Sequence, residues 1–184
     1  MKNTRFLTIA CVTLALVLSN AKATSFAGDT TSSDTYNRTT ESGSPSAFGS
    51  NVPFSLFSVT VNTTGLYNFN VVAGNPALLD TFITLYSPTF NQADPEANFL
   101  VANDNTLDSN PTLGSSFSTT LTVGSTYLLA VSGLTNDDYG TFSGNVTGPG
   151  TATVSAVPEP STVGFLALAA TGFVLACKHK RRLV

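Results

Sequence analysis

The chain has few of the residue types that carry covalent or acid–base chemistry. Its two cysteines, Cys11 and Cys177, lie near opposite ends of the 184 residues, and its one histidine is His179. The 134 residues from Thr24 to Val157 therefore contain no cysteine, no histidine and no lysine. No disulfide can hold this central part together. Neither a Ser-His-Asp nor a Cys-His catalytic system can be assembled within it.

Tryptophan is absent from the whole chain. Paired carboxylates such as Asp104 and Asp108 are the remaining catalytic candidates, because two carboxyl groups can hydrolyse a glycosidic bond. They lie in a turn-rich stretch, and the chain offers no indole ring on which a sugar could stack. The sequence therefore predicts a protein that is not an enzyme.

Positive charge is scarce in the central part. Thr24–Val157 holds one basic residue, Arg38, against ten acidic residues, so its formal net charge is −9. Such a balance argues against nucleic acid and anionic membranes as partners. It is compatible with divalent cations, or simply with solubility outside the cell.

The first 23 residues have the order of a secretory signal peptide. Lys2 and Arg5 precede the 13-residue apolar segment Phe6–Leu18, and Ala21-Lys22-Ala23 places small residues two apart. This pattern predicts a helical signal peptide over 1–23, with cleavage after Ala23 by signal peptidase.

The other end of the chain has the pattern of a membrane anchor. Ser161–Cys177 is an uncharged run of 17 residues, at the short end of the range for a transmembrane helix. Basic residues follow it at once and stay in the cytoplasm, namely Lys178, Lys180, Arg181 and Arg182. We therefore expect a single membrane helix over 161–177, a cytoplasmic tail over 178–184, and everything before Pro158 outside.

The residues before this anchor extend the pattern. Val157, Pro158, Glu159 and Pro160 end a linker over 151–160, and the order of motif, span and basic tail resembles the PEP-CTERM sorting signal of exported bacterial proteins. The resemblance implies that an exosortase removes the anchor near Pro-Glu-Pro, so that an inner-membrane precursor becomes a cell-surface or extracellular protein. The alternative is an ordinary anchor that follows a proline-rich linker.

The central part reads as β-structure. Tyr67, Phe69 and Val71 alternate with polar residues, the period that puts one face of a strand in a core. Seven such runs, with no amphipathic helix, predict an antiparallel β-sandwich over 53–150. Residues 24–52 read as a polar arm or as a first strand with a long loop. Asn62–Gly65 is predicted to be a hairpin turn, and Gly124-Ser125 a type II′ turn.

Three segments carry a second resemblance: 79–86 (LDTFITLY), 100–105 (LVANDN) and 124–131 (GSTYLLAV). In this order they resemble the bacterial pre-peptidase C-terminal domain, over about Ser55–Thr147. That family implies a jelly-roll-like sandwich, as found in secreted proteases and surface proteins. Pro88–Asn98 replaces the glycine-led turn that is usual in the family.

Oxygen-bearing side chains cluster around two of the predicted strands. Asp80 precedes one strand, and four more follow the next: Asn103, Asp104, Asn105 and Asp108. Calcium takes six to eight such oxygens, so the pattern predicts a weak calcium site of the extracellular class. The alternative is that these residues only form turns, a role that suits Asn and Asp. Asp137-Asp138 has the same two interpretations.

Two functions remain open from the sequence. The first is a non-enzymatic surface or matrix protein with a structural or adhesive role. The second is an accessory module that binds calcium or carbohydrate. Signal peptidase, exosortase, the membrane before processing, and exopolysaccharide are the expected partners.

Overall fold

The computed structural model describes residues 21–75, 79–105 and 114–158, and these residues form ten β-strands and no helix. The predicted all-β body is confirmed, whereas the predicted membrane helix and residues 1–20 of the predicted signal peptide lie outside the described residues. Lys22 and Ala23, at the end of the predicted signal peptide, lie in a strand and not in a helix. Within the described ranges, no helix has the length and apolarity to cross a membrane. The strands are β1 (Lys22–Asp29), β2 (Thr35–Tyr36), β3 (Val52–Val61), β4 (Gly65–Ala73), β5 (Thr81–Tyr86), β6 (Phe99–Asn103), β7 (Gly114–Leu121), β8 (Tyr127–Gly133), β9 (Thr141–Gly148) and β10 (Ala152–Ala156).

The strands form two antiparallel sheets. One sheet has four strands in the order β1-β9-β4-β7. The other has six strands, in the order β10-β3-β8-β5-β6 with β2 also paired to β3. Every paired neighbour runs antiparallel. The arrangement is that of a β-sandwich, with a core between the two sheets.

The core is built from the alternation visible in the sequence. Tyr67, Phe69 and Val71 of β4 are fully buried, and they share one hydrophobic cluster with Phe57 and Leu129 of the other sheet. Burying a side chain of this size contributes about 1.5–3 kcal/mol. The two sheets are therefore held together mainly by the facing apolar rows.

A second hydrophobic cluster covers the outer face of the six-stranded sheet. All six residues of β5 are buried, so both of its faces are covered. Tyr36 and Phe54 pack there with Tyr86 and with Phe90, at ring-centroid distances of 4.8–5.5 Å. Residues 30–51, called the arm below, thus fold onto the sheet, although their polar sequence suggested a loose segment as one interpretation.

Two of the predicted turns are wrong in type. Asn62–Gly65 is not a hairpin turn, because β3 and β4 belong to different sheets and the segment crosses from one to the other. Gly124 has φ of +85°, and Ser125 N donates to Thr122 O at 3.2 Å. Positive φ at the third position of a turn defines type II, which replaces the predicted type II′. Turn-forming residues suit a connection within one sheet and between two sheets equally well.

Three strands were not among the seven predicted ones. β1 corresponds to the first strand that was one of the two interpretations of residues 24–52. It pairs with β9 over its full length, from Lys22↔Gly148 to Asp29↔Thr141. β2 belongs to the arm, and β10 falls within the stretch predicted as a linker. Phe26 of β1 and Val154 of β10 pack against the core cluster. Few large apolar residues mark these strands, so neighbouring strands define them more than their own sequence does.

Candidate functional site

The predicted calcium ligands lie at one end of the six-stranded sheet. Asp80 immediately precedes β5, whereas Asn103 ends β6 and Asp104 follows it. β5 and β6 are paired, with Ile83 opposite Asn103. Their antiparallel course places the start of one strand beside the end of the other, which brings Asp80 and Asp104 to the same end. Asp108 lies outside the described residues.

A third carboxylate reaches this end from the arm. Asp104 N donates to Glu41 Oε1 at 3.3 Å, across 63 residues of sequence. Asp138, in the loop after β8, is the fourth member. We call Glu41, Asp80, Asp104 and Asp138 the acidic end of the sandwich.

The four carboxylates influence one another. Burial raises the pKa of Asp80, and the negative charges of Asp138 and Asp104 raise it further. Burial also raises the pKa of Glu41, and a hydrogen-bonding interaction with the Asp104 carboxyl adds to the effect. Like charges that are close together disfavour ionisation. Folding therefore disfavours the ionised forms of Asp80 and Glu41.

The single basic residue of the central part lies beside the acidic end. Arg38 is 3% exposed. Its Nε and Nη2 donate to Leu134 O at 3.0 and 2.6 Å, and its Nη1 donates to Thr39 O at 2.8 Å. Burial lowers the pKa of Arg38, while the charges of Asp104, Asp138 and Glu41 act in the opposite direction. Since three of its donors bind carbonyl groups, Arg38 is directed mainly at the backbone.

Hydrogen bonds within the loops account for part of the Asn and Asp content. Asp138 Oδ2 accepts from Thr135 N at 2.6 Å and from Thr135 Oγ1 at 2.8 Å, a turn-closing role. Asn103 accepts from Asn105 N, and Asn105 donates to the Asp104 carboxylate. In the part of the chain that the structure describes, no three or more His, Cys, Asp or Glu side chains are grouped so as to hold a metal ion. These hydrogen bonds support the alternative that the Asn and Asp residues form turns. The calcium site stays a prediction.

The structure describes the first two residues of the predicted sorting motif, Val157 and Pro158. Val157 N donates to Leu56 O at 2.8 Å, one residue beyond the end of β10. Pro158 follows it. Glu159, Pro160 and the basic anchor (Lys178, Lys180, Arg181 and Arg182) lie outside the described residues.

The outer face of the four-stranded sheet forms a further candidate surface. Across the strands, Ala23, Thr147, Asn68 and Ser118 are aligned in one row. The next row consists of Ser25, Asn145 and Asn70, and ends at the buried Ser116. Asn68 Nδ2 donates to Ser118 Oγ at 3.2 Å. We call these two rows the polar face.

The polar face carries amides and hydroxyls but no charge, although the body as a whole is acidic. Four strands at the usual spacing make a platform about 15 Å wide. Asn side chains both donate and accept, so they can pair with the hydroxyl groups of a sugar. The alternation of Asn68 and Asn70 with the core residues of β4 was visible in the sequence. The alignment with Asn145 and Thr147 was not, because no local signal predicts that β4 and β9 are neighbours.

A scan against models of known protein families finds no match for this chain, and a search of curated proteins finds none either.

Proposed function

We propose that this chain is a non-enzymatic exported protein whose β-sandwich serves as a structural or adhesive module at the cell surface or in the extracellular matrix. The signal-peptide pattern of residues 1–23 and the sorting pattern from Val157 onward support export. An exosortase would remove the anchor near Pro158–Pro160. The lack of histidine, cysteine and lysine in Thr24–Val157 supports a role without catalysis.

The polar face is the observation that carries the adhesive role. Its two rows of amide and hydroxyl groups lie on the outer face of one sheet, and no residue of the two rows is charged. A neutral polysaccharide is the ligand class that matches it, since an anionic polymer would meet a body of net charge −9. Many weak hydrogen bonds along an extended chain would supply the binding, because each contributes only about 1 kcal/mol.

The test is binding of the exported part to neutral polysaccharides on a glycan array. We expect Asn68→Ala and Asn145→Ala to reduce binding. Asn91→Ala, an exposed amide away from the polar face, is the matched control and should leave binding unchanged. Binding that is absent, or equally strong in all three variants, would remove the polar face as the adhesive surface.

The acidic end supports a second candidate function, that of a calcium-binding accessory module. The observation that favours it is the pairing of β5 with β6, which brings Asp80 and Asp104 to one end of the sheet. Burial and the neighbouring carboxylates raise the pKa of Asp80 there. A divalent cation would relieve this repulsion, and oxygen ligands are those that calcium prefers. The ligands in this proposal are the carboxylates of Asp80 and Asp104 with the amide oxygens of Asn103 and Asn105.

A further inference from the structure

The last described residues of the chain lie at an edge of the six-stranded sheet. β10 pairs with β3 as far as Ala156↔Phe57, and Val157 N then donates to Leu56 O. Beyond Leu56 on this edge of β3, Phe54 N bonds to Asp34 O of the arm at 3.1 Å. The predicted sorting motif therefore begins directly at the surface of the sandwich.

A groove opens at this point and is called the exit groove. It has a volume of about 360 Å³, and its lining includes Leu56, Phe57, Phe90, Val157 and Pro158. Residues of β1, among them Ala27, form another part of the wall. Among the described residues that line it, none is charged. The volume is at the lower end of the range for ligand pockets, enough for a few apolar side chains.

The sequence limits how far the motif can lie from this groove. Ser161, where the predicted membrane span begins, is four residues after Val157, and four extended residues reach at most about 14 Å. An enzyme that cuts at Pro158–Pro160 must therefore work within this distance of the hydrogen bond at Val157. At this range it touches the folded body as well as the motif.

We propose that the exit groove is a docking surface for the membrane-embedded protease that removes the anchor, an inference that rests on the proposed sorting function. An apolar side chain or loop of the protease enters the groove and aligns the scissile segment. The shape favours a protein over lipid, because Phe57 is only 4% exposed and Leu56, Phe90 and Val157 are half-buried. A flat bilayer surface would not reach such side chains.

The test uses the full-length chain in cells that process it. Ala27 is exposed and lines the groove, yet it lies far from the motif in sequence. Ala27→Tyr fills part of the groove without changing charge. We expect the release of processed protein to slow about tenfold, the effect of losing about 1.4 kcal/mol of binding. Ala47→Tyr, at an exposed alanine of the arm, is the matched control and should be processed at the wild-type rate.

A second variant separates docking from an effect on folding. Six Gly and Ser residues inserted between Ala156 and Val157 move the whole motif away from the groove and leave the residues of β10 unchanged. We expect this insertion to slow release, and Ala27→Tyr to add no further slowing to it. Circular dichroism of each precursor, purified in detergent, checks that the fold is intact.

Three outcomes would overturn the proposal. If Ala27→Tyr and the insertion are both processed like the wild type, the protease reads the motif alone. If Ala27→Tyr slows release equally with and without the insertion, the groove contacts another partner, such as the lipid surface. If the wild type itself is never processed, the sorting function is wrong and the docking proposal fails with it.

Discussion

The guanidinium carbon of Arg38 lies 3.9 Å from the centre of the Phe82 ring. Phe82 belongs to β5, whereas Arg38 belongs to the arm, and its hydrogen bonds to Leu134 O reach the loop after β8. One side chain therefore connects the arm, the six-stranded sheet and a loop at the acidic end. Its role follows from the fold, because a buried cation is stable only with such partners.

Replacing Arg38 should loosen the arm. Arg38→Met removes the cation–π contact and leaves the carbonyls of Leu134 and Thr39 without these donors. We expect a loss of about 3 kcal/mol in the free energy of unfolding. Arg38→Lys should restore only part of it, since an ammonium group lacks the planar fork. Chemical denaturation measures the difference, and equal stability of the three proteins would contradict it.

Two leucines that differ in burial should differ in their contribution to the free energy of unfolding. Leu129 is fully buried between the sheets, whereas Leu66 is 62% exposed on the four-stranded sheet. Leu129→Ala should cost about 2–5 kcal/mol, because it leaves a cavity in a packed core. Leu66→Ala should change the free energy of unfolding by less than about 0.5 kcal/mol. Comparable losses at both positions would mean that the sandwich packs differently.

The pattern of the sequence predicted which side chains face the core, but not which strands are neighbours. Tyr67, Phe69 and Val71 alternate with asparagines, and all three are fully buried as expected. The same period of two describes a strand that folds back in one sheet and a strand that crosses to the other. For this reason the sequence predicts a hairpin between β3 and β4, whereas the connection crosses from one sheet to the other.

The candidate sites show the same limit. Asp80 and Asp104 could be expected to converge, because one precedes and the other follows a predicted strand. Glu41 could not, since its approach depends on how the arm packs around Arg38. The polar face likewise depends on the register between β4 and β9. Contacts of this kind arise from tertiary packing, which leaves no local pattern in the sequence.

The acidic end should make stability depend on pH. The folded protein raises the pKa of Asp80 above 3.8 and that of Glu41 above 4.5. Protons are therefore held more tightly in the folded state, and stability falls as pH rises through these raised values. Asp80→Asn should be more stable than wild type at pH 7, with a difference that vanishes below pH 3.8. Denaturation across pH measures this. Asp94→Asn, an exposed loop carboxylate, is the control.

Cleavage of the precursor should depend on the acidic residue of the sorting motif. Glu159 is the acidic residue between Pro158 and Pro160, so Glu159→Ala should leave the precursor uncleaved and in the membrane fraction. Fractionation and intact mass of the released protein measure the outcome. Glu96→Ala, at an acidic residue of the loop between β5 and β6, is the control. Release of Glu159→Ala at the wild-type rate would leave the exosortase interpretation without its basis.

Calcium should raise the melting temperature if Asp80 and Asp104 share one ion. The ion would bind only the folded protein, so at about ten times its Kd it would add about 1.4 kcal/mol of stability. For a domain of this size, that corresponds to about 3–6 °C. Asp104→Asn should shrink the shift, because it removes a charged ligand, whereas Asp94→Asn should not. Differential scanning calorimetry in millimolar calcium and in chelator measures it. Equal melting temperatures would leave these carboxylates with the turn and arm contacts alone.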